Sequence, residues 1–557
     1  MTLKKIEPRF IAGPPGTGKT HVYIVGLFKE LIVKYDYKKI LILSHTNVAA
    51  EQILEAVFEL KDLKTKEGHY KFPQLQGVTK KELRETIGTI HHYCRNRPSL
   101  HGKLTKTKLE DHKKLIEKNR HFNDDRNPDI EKHALYRFRS DAKGCGLSYD
   151  EYWRKCSQND YKHYGLEIMK ELFKIYEDYK KLHGREDYVD MIERFLNPDL
   201  KAPEVDAVII DECQDSNVPQ TEAIEKMATN VKDGHFYLVG DADQTLFEYA
   251  GSNPNYFHEL ASKPYFELKE GLRCSEAINT KCKKVIKPVW DKWNSHRVWT
   301  PAKYRKEHGV GHIGETIKGM GYYLPYLERG STHLDILLNK IKNTTQTFLF
   351  TYRGNPGDTR VTKFLSSRGL EYSMVGCSPH ASKKEINSHY VWPDFVKGKP
   401  MHLTQIKSFW EYMGGKVIVY GKGEYDFIDD GKPWIKKEYT IDELINLKLL
   451  KPDCKQYTDF DLIRVPSDIV GGKEKLQYIK RVLANGFDND KPNQIFYGNI
   501  HQVKGLTFDN VIVDHTMTRA EDFHTQLRLE YTAYSRGVFD YWELASTTNR
   551  KLGVRSI

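Results

Sequence analysis

Apolar residues along this chain fall into short unbroken runs separated by longer stretches of helical period. The runs are Arg9-Phe10-Ile11-Ala12, Lys39-Ile40-Leu41-Ile42-Leu43-Ser44, Val205-Asp206-Ala207-Val208-Ile209-Ile210, His235-Phe236-Tyr237-Leu238-Val239 and Thr347-Phe348-Leu349-Phe350-Thr351-Tyr352-Arg353. A run without polar alternation reads as a strand buried on both faces, as in parallel sheets. Between the first two, Val22 to Val33 has the spacing of an amphipathic helix, and a second helix is predicted from the Thr46-Asn47 turn to Leu60. Strands alternating with helices imply a parallel sheet with right-handed crossovers, whose ligands gather at the carboxyl ends of the strands.

The residues at those ends carry the chemistry. After the first run comes Gly13-Pro14-Pro15-Gly16-Thr17-Gly18-Lys19-Thr20. This is G-x-x-x-x-G-K-T between strand and helix, the phosphate-binding loop. Its glycines let successive N–H groups point at phosphate oxygens, and the helix beginning at Lys19 adds its partial positive charge. Lys19 is expected to reach the β- and γ-phosphates of a nucleotide and Thr20 to ligate Mg²⁺. The third run ends in Asp211-Glu212-Cys213-Gln214-Asp215. Carboxylates closing an apolar strand are costly unless a site uses them. Asp211 is expected to share the Mg²⁺ with Thr20, and Glu212 to polarise the attacking water. The fourth run ends in Gly240-Asp241-Ala242-Asp243-Gln244, which places Gln244 beside the γ-phosphate. Arg273, in Leu268-Lys269-Glu270-Gly271-Leu272-Arg273-Cys274-Ser275, is a candidate for neutralising transition-state charge.

Bulk properties narrow the class. A chain of 557 residues exceeds one core, and about three to four domains are expected. No apolar run approaches the ~20 residues that span a bilayer. The N-terminal Met1-Thr2-Leu3-Lys4-Lys5 leads directly into the first strand, so no signal peptide and a cytoplasmic location are expected. The eight cysteines contain no C-x-x-C pair, and reduced thiols are expected rather than a zinc or iron–sulfur site. The net charge of +11 suits a polyanionic partner without requiring one. From about Arg95 to Gly184 the texture changes to Lys, Arg, His and Tyr with helical periodicity, as in Leu166 to Leu182. A helical insertion is expected there. Such charges are most often a solvated face, though basic residues interleaved with aromatics also suit nucleic acid.

The motifs taken in order resemble the UvrD/Rep/PcrA-type superfamily 1A DNA helicases. After the phosphate loop come Thr46-Asn47-x-Ala49-Ala50, Gly88-Thr89-x-His91, Asp211-Glu212-x-Gln214-Asp215, Gly240-Asp241-x-Asp243-Gln244 and the Arg273 segment. His501-Gln502-Val503-Lys504-Gly505-Leu506-Thr507-Phe508 is similar to the family's H-S-x-K-G-L-E-F. Arg528-Leu529-Glu530-Tyr531-Thr532-Ala533-Tyr534-Ser535-Arg536 is similar to its R-L-x-Y-V-x-x-T-R. The resemblance implies an α/β fold of two RecA-like motor domains, each with an insertion and with ATP between them. The expected bounds are 1–94 and 187–282 for the first motor domain, with 95–186 inserted, and 283–376 and 492–557 for the second, with 377–491 inserted. It also implies an ATP- and Mg²⁺-dependent helicase that moves 3′ to 5′ on single-stranded DNA and acts at duplex junctions. Arg536 would join Arg273 at the γ-phosphate, and His21 and Gly505 would contact the nucleotide. Thr46, Asn47, Thr89, His91, Tyr249, Arg353 and His501 would contact the DNA, with Tyr249 in the place of a base-stacking tryptophan.

Departures fall on the base-reading side. The family's glutamine upstream of the phosphate loop has no counterpart among the twelve residues before Gly13. Its arginine after G-K-T is His21 here, its adenine-stacking tyrosine is Leu272, and the glutamate of G-L-E-F is Thr507. Weak discrimination among ATP, GTP and other NTPs is therefore expected. No nuclease motif follows Arg536. The same motor residues also serve a translocase that strips proteins from DNA, one that needs a loading or accessory partner to unwind, and an RNA-directed enzyme. A regulatory binding module with a degenerate ATPase is disfavoured by the intact Lys19, Thr20, Asp211, Glu212, Gln244, Arg273 and Arg536.

Overall fold

The computed structural model describes residues 6–96, 105–107, 134–156, 165–305, 312–324, 327, 331–353, 360–376, 381–410, 437–458, 472–515 and 522–544. The chain divides into two compact units, Met1–Gly319 with Arg519–Ser535, and Met320–Thr518 with Arg536–Ile557.

Among the described residues the first unit contains β1 (Arg9–Ala12), β2 (Ile40–Ser44), β3 (Ile87–Thr89), β4 (Thr105–Lys106), β5 (Arg185–Glu186), β6 (Ala207–Asp211), β7 (Phe236–Gly240) and β8 (Phe266–Glu267). Six of these form one sheet in the order β3-β2-β6-β7-β1-β8. Every pairing in it is parallel. The apolar runs are continuous because both faces are covered. Ala207 and Ile209 pack with Ile11, Ile40 and Ile42 on one side, while Val208 and Ile210 pack with Phe10, Leu41 and Leu43 on the other. Each such branched side chain contributes about 1.5–3 kcal/mol by leaving water.

The helix expected to begin at Lys19 and to run through the periodic segment Val22 to Val33 begins there and ends at Leu31. Its first turn, Lys19–Ile24, is π-helical, and α-helix follows over Val25–Leu31. The second helix spans Asn47–Phe58 and is capped by the Thr46 side chain, which accepts from the Ala49 N–H. Helix Leu166–Leu182 has the expected bounds. It packs with helices Ala134–Gly144 and Tyr149–Lys155 around Phe138, Tyr152, Phe173 and Tyr176. A buried ion cluster ties this bundle to helix Tyr188–Leu196. Arg139 lies 3.2 Å from Asp187, and Lys180 lies 2.9 Å from Asp187 and 2.6 Å from Asp190. Burial alone would raise the Asp187 carboxyl, but Arg139 and Lys180 outweigh it and hold it below its ordinary range. Within the basic segment from about Arg95 to Gly184, residues 97–104, 108–133 and 157–164 lie outside the described residues.

The second unit contains β9 (Gly321–Leu324), β10 (Phe348–Tyr352), β11 (Ser373–Met374), β12 (Met401–His402), β13 (Glu438–Tyr439), β14 (Ile495–Asn499), β15 (Phe508–Asp514) and β16 (Gly537–Leu544). Its sheet has the order β11-β14-β10-β15-β16-β9, parallel throughout. Phe348, Phe350, Tyr352 and Trp542 lie in its core. A separate cluster of Trp392, Phe395, Ile406, Ile441 and Leu444 holds the β12/β13 region. A helix spans Gly472–Ala484.

The boundary drawn at 282/283 falls inside the helix Glu276–Trp293. Cys282, in the middle of that helix, approaches the carbonyl oxygen of Tyr531 at 3.8 Å. The first unit accordingly runs on to Gly319 and takes in Arg519–Ser535. Among the described residues, no helix is long and apolar enough to cross a membrane.

Candidate nucleotide site and nucleic-acid surface

The loop Gly13–Thr20 leaves the carboxyl end of β1, flanked by β7 and β8. Gly16 (φ +68°) and Gly18 (φ +81°) take the left-handed conformation that glycine alone adopts without strain. The loop is tied to β7 by the Gly13 N–H, which donates to the Gly240 carbonyl at 3.0 Å. Lys19 is buried and its Nζ donates to the Gly13 carbonyl at 2.8 Å. Thr17 Oγ1 donates to the Pro14 carbonyl at 2.7 Å. A Cβ on Gly13 would lie 2.6 Å from Lys19 Cγ, so the lysine stem fills the cradle that glycine leaves open.

Asp211 ends β6 fully buried. Thr20 Oγ1 donates to its Oδ2 at 3.0 Å. Its Oδ1 is buried with no hydrogen-bond partner among the described residues. Burial and then the Glu212 charge push this carboxyl up to about 7, against Lys19 and the Thr20 hydroxyl. A buried, unpartnered carboxylate oxygen beside a threonine hydroxyl is a hard-oxygen donor set that fits Mg²⁺. Thr20 and Asp211 are the residues that would hold the ion, which would supply charge neutralisation at the phosphates.

Glu212 has φ +52°, a conformation that costs a non-glycine residue about 1–3 kcal/mol. Gln214, fully buried, holds it: Nε2 donates to Glu212 Oε2 at 2.5 Å. Gln214 Oε1 in turn accepts from the Asp241 N–H at 3.1 Å. A Cβ on Gly240 would lie 2.3 Å from Gln214 Oε1, so this glycine is required for the bridge. Gln244 Nε2 donates to Asp241 Oδ2 at 2.8 Å, and the Tyr531 hydroxyl donates to the same oxygen at 3.2 Å. Asp243 is buried behind them, accepting from Trp290 Nε1 at 2.7 Å and lying 3.3 Å from Arg297 Nε.

Arg273 packs directly on the loop. The Leu272 N–H donates to the Gly16 carbonyl at 2.7 Å, and a Cβ on Gly16 would lie 2.4 Å from Arg273 Cβ. Its guanidinium donates to the Ser535 carbonyl at 3.3 Å. Lys19, Thr20, Asp211, Glu212, Gln244 and Arg273 are thus gathered at the carboxyl ends of β1, β6 and β7. His21 is exposed on the next turn, facing a shallow groove lined also by Val48, Glu51, Gln52 and Glu55.

The residues expected on nucleic acid divide into three places. Asn47, Thr89 and His91 line one cleft of about 590 Å³. It is lined also by Arg95, on the same helix as His91, and by Lys106, Tyr136, Lys143 and Tyr188 of the inserted bundle and its flank. Lys106 Nζ donates to the Tyr188 hydroxyl at 2.6 Å and sits 4.0 Å from the ring centroid. His91 meets Tyr188 edge to face at 5.1 Å. Burial and then Lys106 pull the His91 pKa down to about 4, against Asp187, so it is neutral at physiological pH. Thr46 and Thr89 also cap the helices that follow them. Tyr249 lies elsewhere, on the loop after Gln244, and is 56% exposed. Arg353 and His501 belong to the second unit, at the carboxyl ends of the paired strands β10 and β14. Gly505 (φ +86°) follows the His501 helix. Arg536 is buried in that unit, its carbonyl accepting from the Phe508 N–H at 2.9 Å. Sequence reasoning named the basic and aromatic texture of the insertion but not Arg95, Lys106, Lys143 or Tyr188. The signal for them was the change of texture itself.

A parallel α/β sheet with a G-K-T loop at β1, and an aspartate closing β6 bonded to the loop threonine, defines a P-loop NTPase of RecA-like fold. Residues 3–264, 262 of the chain's 557, match the family model of the UvrD/REP helicase N-terminal domain, and this match supports a place among the UvrD/Rep-type superfamily 1 helicases. These are NTP-hydrolysing, DNA-binding enzymes that generally use ATP and Mg²⁺. No curated protein matches the chain.

Proposed function

We propose that this chain is an NTP-driven motor that travels 3′ to 5′ on single-stranded DNA and separates duplex at junctions. The observation that carries the reading is the chain of contacts from Thr20 to Asp211 and from Glu212 through Gln214 and Asp241 to Gln244, beneath Arg273. Lys19 and the loop N–H groups bind phosphate. Thr20 and Asp211 hold Mg²⁺. Glu212, locked by Gln214, orients and polarises the attacking water, and Gln244 responds to the γ-phosphate. Arg273 neutralises transition-state charge.

Single-stranded DNA enters the cleft of Asn47, Thr89 and His91, where Arg95, Lys106 and Lys143 meet its phosphates, and Tyr249 offers a stacking face at its separate place on the loop after Gln244. The nucleotide base finds Leu272 and His21 where the family has tyrosine and arginine, and this supports use of NTPs other than ATP. The test is unwinding of duplexes with a single 3′ or 5′ tail in the presence of Mg²⁺ and ATP. Displacement on the 3′-tailed substrate alone is expected. Displacement only from a 5′ tail would overturn the polarity, and displacement from neither would overturn the unwinding activity.

A further inference from the structure

The loop that carries Tyr249 is held from two sides while its ring is left in solvent. On one side stands the helix Phe523–Tyr534. Arg528, 1% exposed, forms an ion pair with Glu248. Its Nε also donates to the Thr245 carbonyl at 3.1 Å. Thr525 Oγ1 donates to Glu248 Oε2 at 2.9 Å and accepts from Arg528 at 3.1 Å. The Trp293 ring centroid lies 5.9 Å from the guanidinium carbon. On the other side the inserted bundle grips the backbone. The Tyr152 hydroxyl donates to the Tyr249 carbonyl at 3.3 Å, and a Cβ on Gly251 would lie 2.1 Å from the Gly144 carbonyl oxygen. The same helix reaches Asp241, the partner of Gln244, through Tyr531.

We propose that Glu248, Arg528 and Thr525 form a latch that fixes the stance of Tyr249 according to the state of Gln244, and are positioning residues for nucleotide-dependent grip on single-stranded DNA. The inference rests on the functional reading above. Glu248 and Tyr249 are adjacent in a single 3₁₀ turn, Glu248–Ala250, so anchoring the carboxylate orients the ring that follows it. A charge taken out of water is retained only where its partners are fixed. Arg528 is therefore free to move only with the loop, and the helix and Tyr249 shift together. Through Asp241, which both Gln244 and Tyr531 contact, a change at the γ-phosphate reaches the latch without passing through Tyr249 itself.

The experiment is fluorescence anisotropy of a labelled deoxythymidine oligomer on the full chain, with and without a non-hydrolysable ATP analogue and Mg²⁺. The variants are Glu248→Gln, Arg528→Lys, their double combination and Thr525→Val. Thr525→Val keeps both charges and is the least able to unfold the chain. In the wild type the analogue changes the affinity for DNA. Each single charge variant reduces that change by about tenfold, binding of a fluorescent nucleotide stays intact, and the double variant loses no more than either single. Variants that respond as the wild type does would overturn the latch. So would a wild type whose DNA affinity ignores the nucleotide, or variants that weaken both states equally, which is the mark of a merely structural role. A wild type that binds no single strand would overturn the functional reading first and this inference with it.

Discussion

The Thr20 hydroxyl donates to Asp211 Oδ2 across 3.0 Å, joining residues 191 positions apart in the chain. This one bond connects the phosphate loop on β1 to the acidic end of β6 and leaves Asp211 Oδ1 turned into a buried space. Thr20→Ala is expected to raise the Mg²⁺ concentration for half-maximal hydrolysis by about 10- to 100-fold. A Mg²⁺ titration of NTP hydrolysis measures it, and an unmoved midpoint would remove Thr20 from the ion's ligands.

Base selectivity follows from Leu272, which lies against Gly18 with no donor or acceptor on its side chain. ATP and GTP are expected to be hydrolysed with kcat/KM values within about tenfold, ~1.4 kcal/mol. A preference of a hundredfold or more for ATP, ~2.7 kcal/mol, would require a base reader elsewhere in the chain.

Tyr249 is an exposed aromatic of the Gln244 loop, 56% accessible. Tyr249→Ala is expected to weaken single-strand binding by ~1–3 kcal/mol, the stacking energy of a base on an aromatic ring, and Tyr249→Phe to retain most of it. Anisotropy titrations of both variants decide. Equal loss in the two would assign the effect to the hydroxyl instead.

Where the inserted bundle crosses the Gln244 loop, the backbones touch. Gly251 has φ +101°, and a Cβ on Gly144 would lie 2.4 Å from the Ala250 carbonyl oxygen. Gly251→Ala combines a disallowed conformation with a backbone clash and is expected to cost more than about 2 kcal/mol. Chemical denaturation compares it with Gly68→Ala, where φ is also positive but no atom lies within 4 Å. Similar losses at the two sites would refute a tight crossing.

His258 is fully buried, stacked on Trp293 at 4.5 Å and 3.3 Å from Ser295 Oγ. Burial, followed by Arg297, lowers its pKa from 6.5 to about 3, against the pull of Asp241. The unfolded chain therefore takes up this proton at a higher pH than the folded one. The contribution is fully present above pH 6.5 and is lost as pH falls toward about 3. His258→Gln should lose less stability than the wild type over that range, measured as the difference in denaturation midpoints. Parallel losses would show that His258 does not titrate with unfolding.

How much was legible in the sequence depends on whether a feature is local. The strands at Ile40–Ser44 and Phe348–Tyr352 are written in unbroken apolar runs, since each is covered on both faces. The phosphate loop and the Asp211 strand end were equally plain, because each motif is one loop on one strand. Pairings between distant segments were not. Nothing near Glu248 announces Arg528, and nothing near Gln214 shows that its side chain spans Glu212 and Asp241. The boundary at 282/283 failed to foresee that the helix Glu276–Trp293 is one packed piece, because amphipathic period says where a helix lies and not which core it joins. Lys106 and Lys143 were hidden within a basic, aromatic texture that usually marks a solvated face. Only the fold brings them, with Tyr188, to the cleft of Asn47, Thr89 and His91.

The central claim is that the Lys19, Asp211 and Glu212 constellation is a motor engaged by single-stranded DNA. Its most direct test is steady-state NTP hydrolysis with and without single-stranded DNA, for the wild type, Lys19→Ala and Glu212→Gln. Strong stimulation by DNA in the wild type, abolished in both variants while each remains folded, is the predicted result. A folded wild type whose hydrolysis is indifferent to DNA, or stimulation that survives in Glu212→Gln, would contradict it.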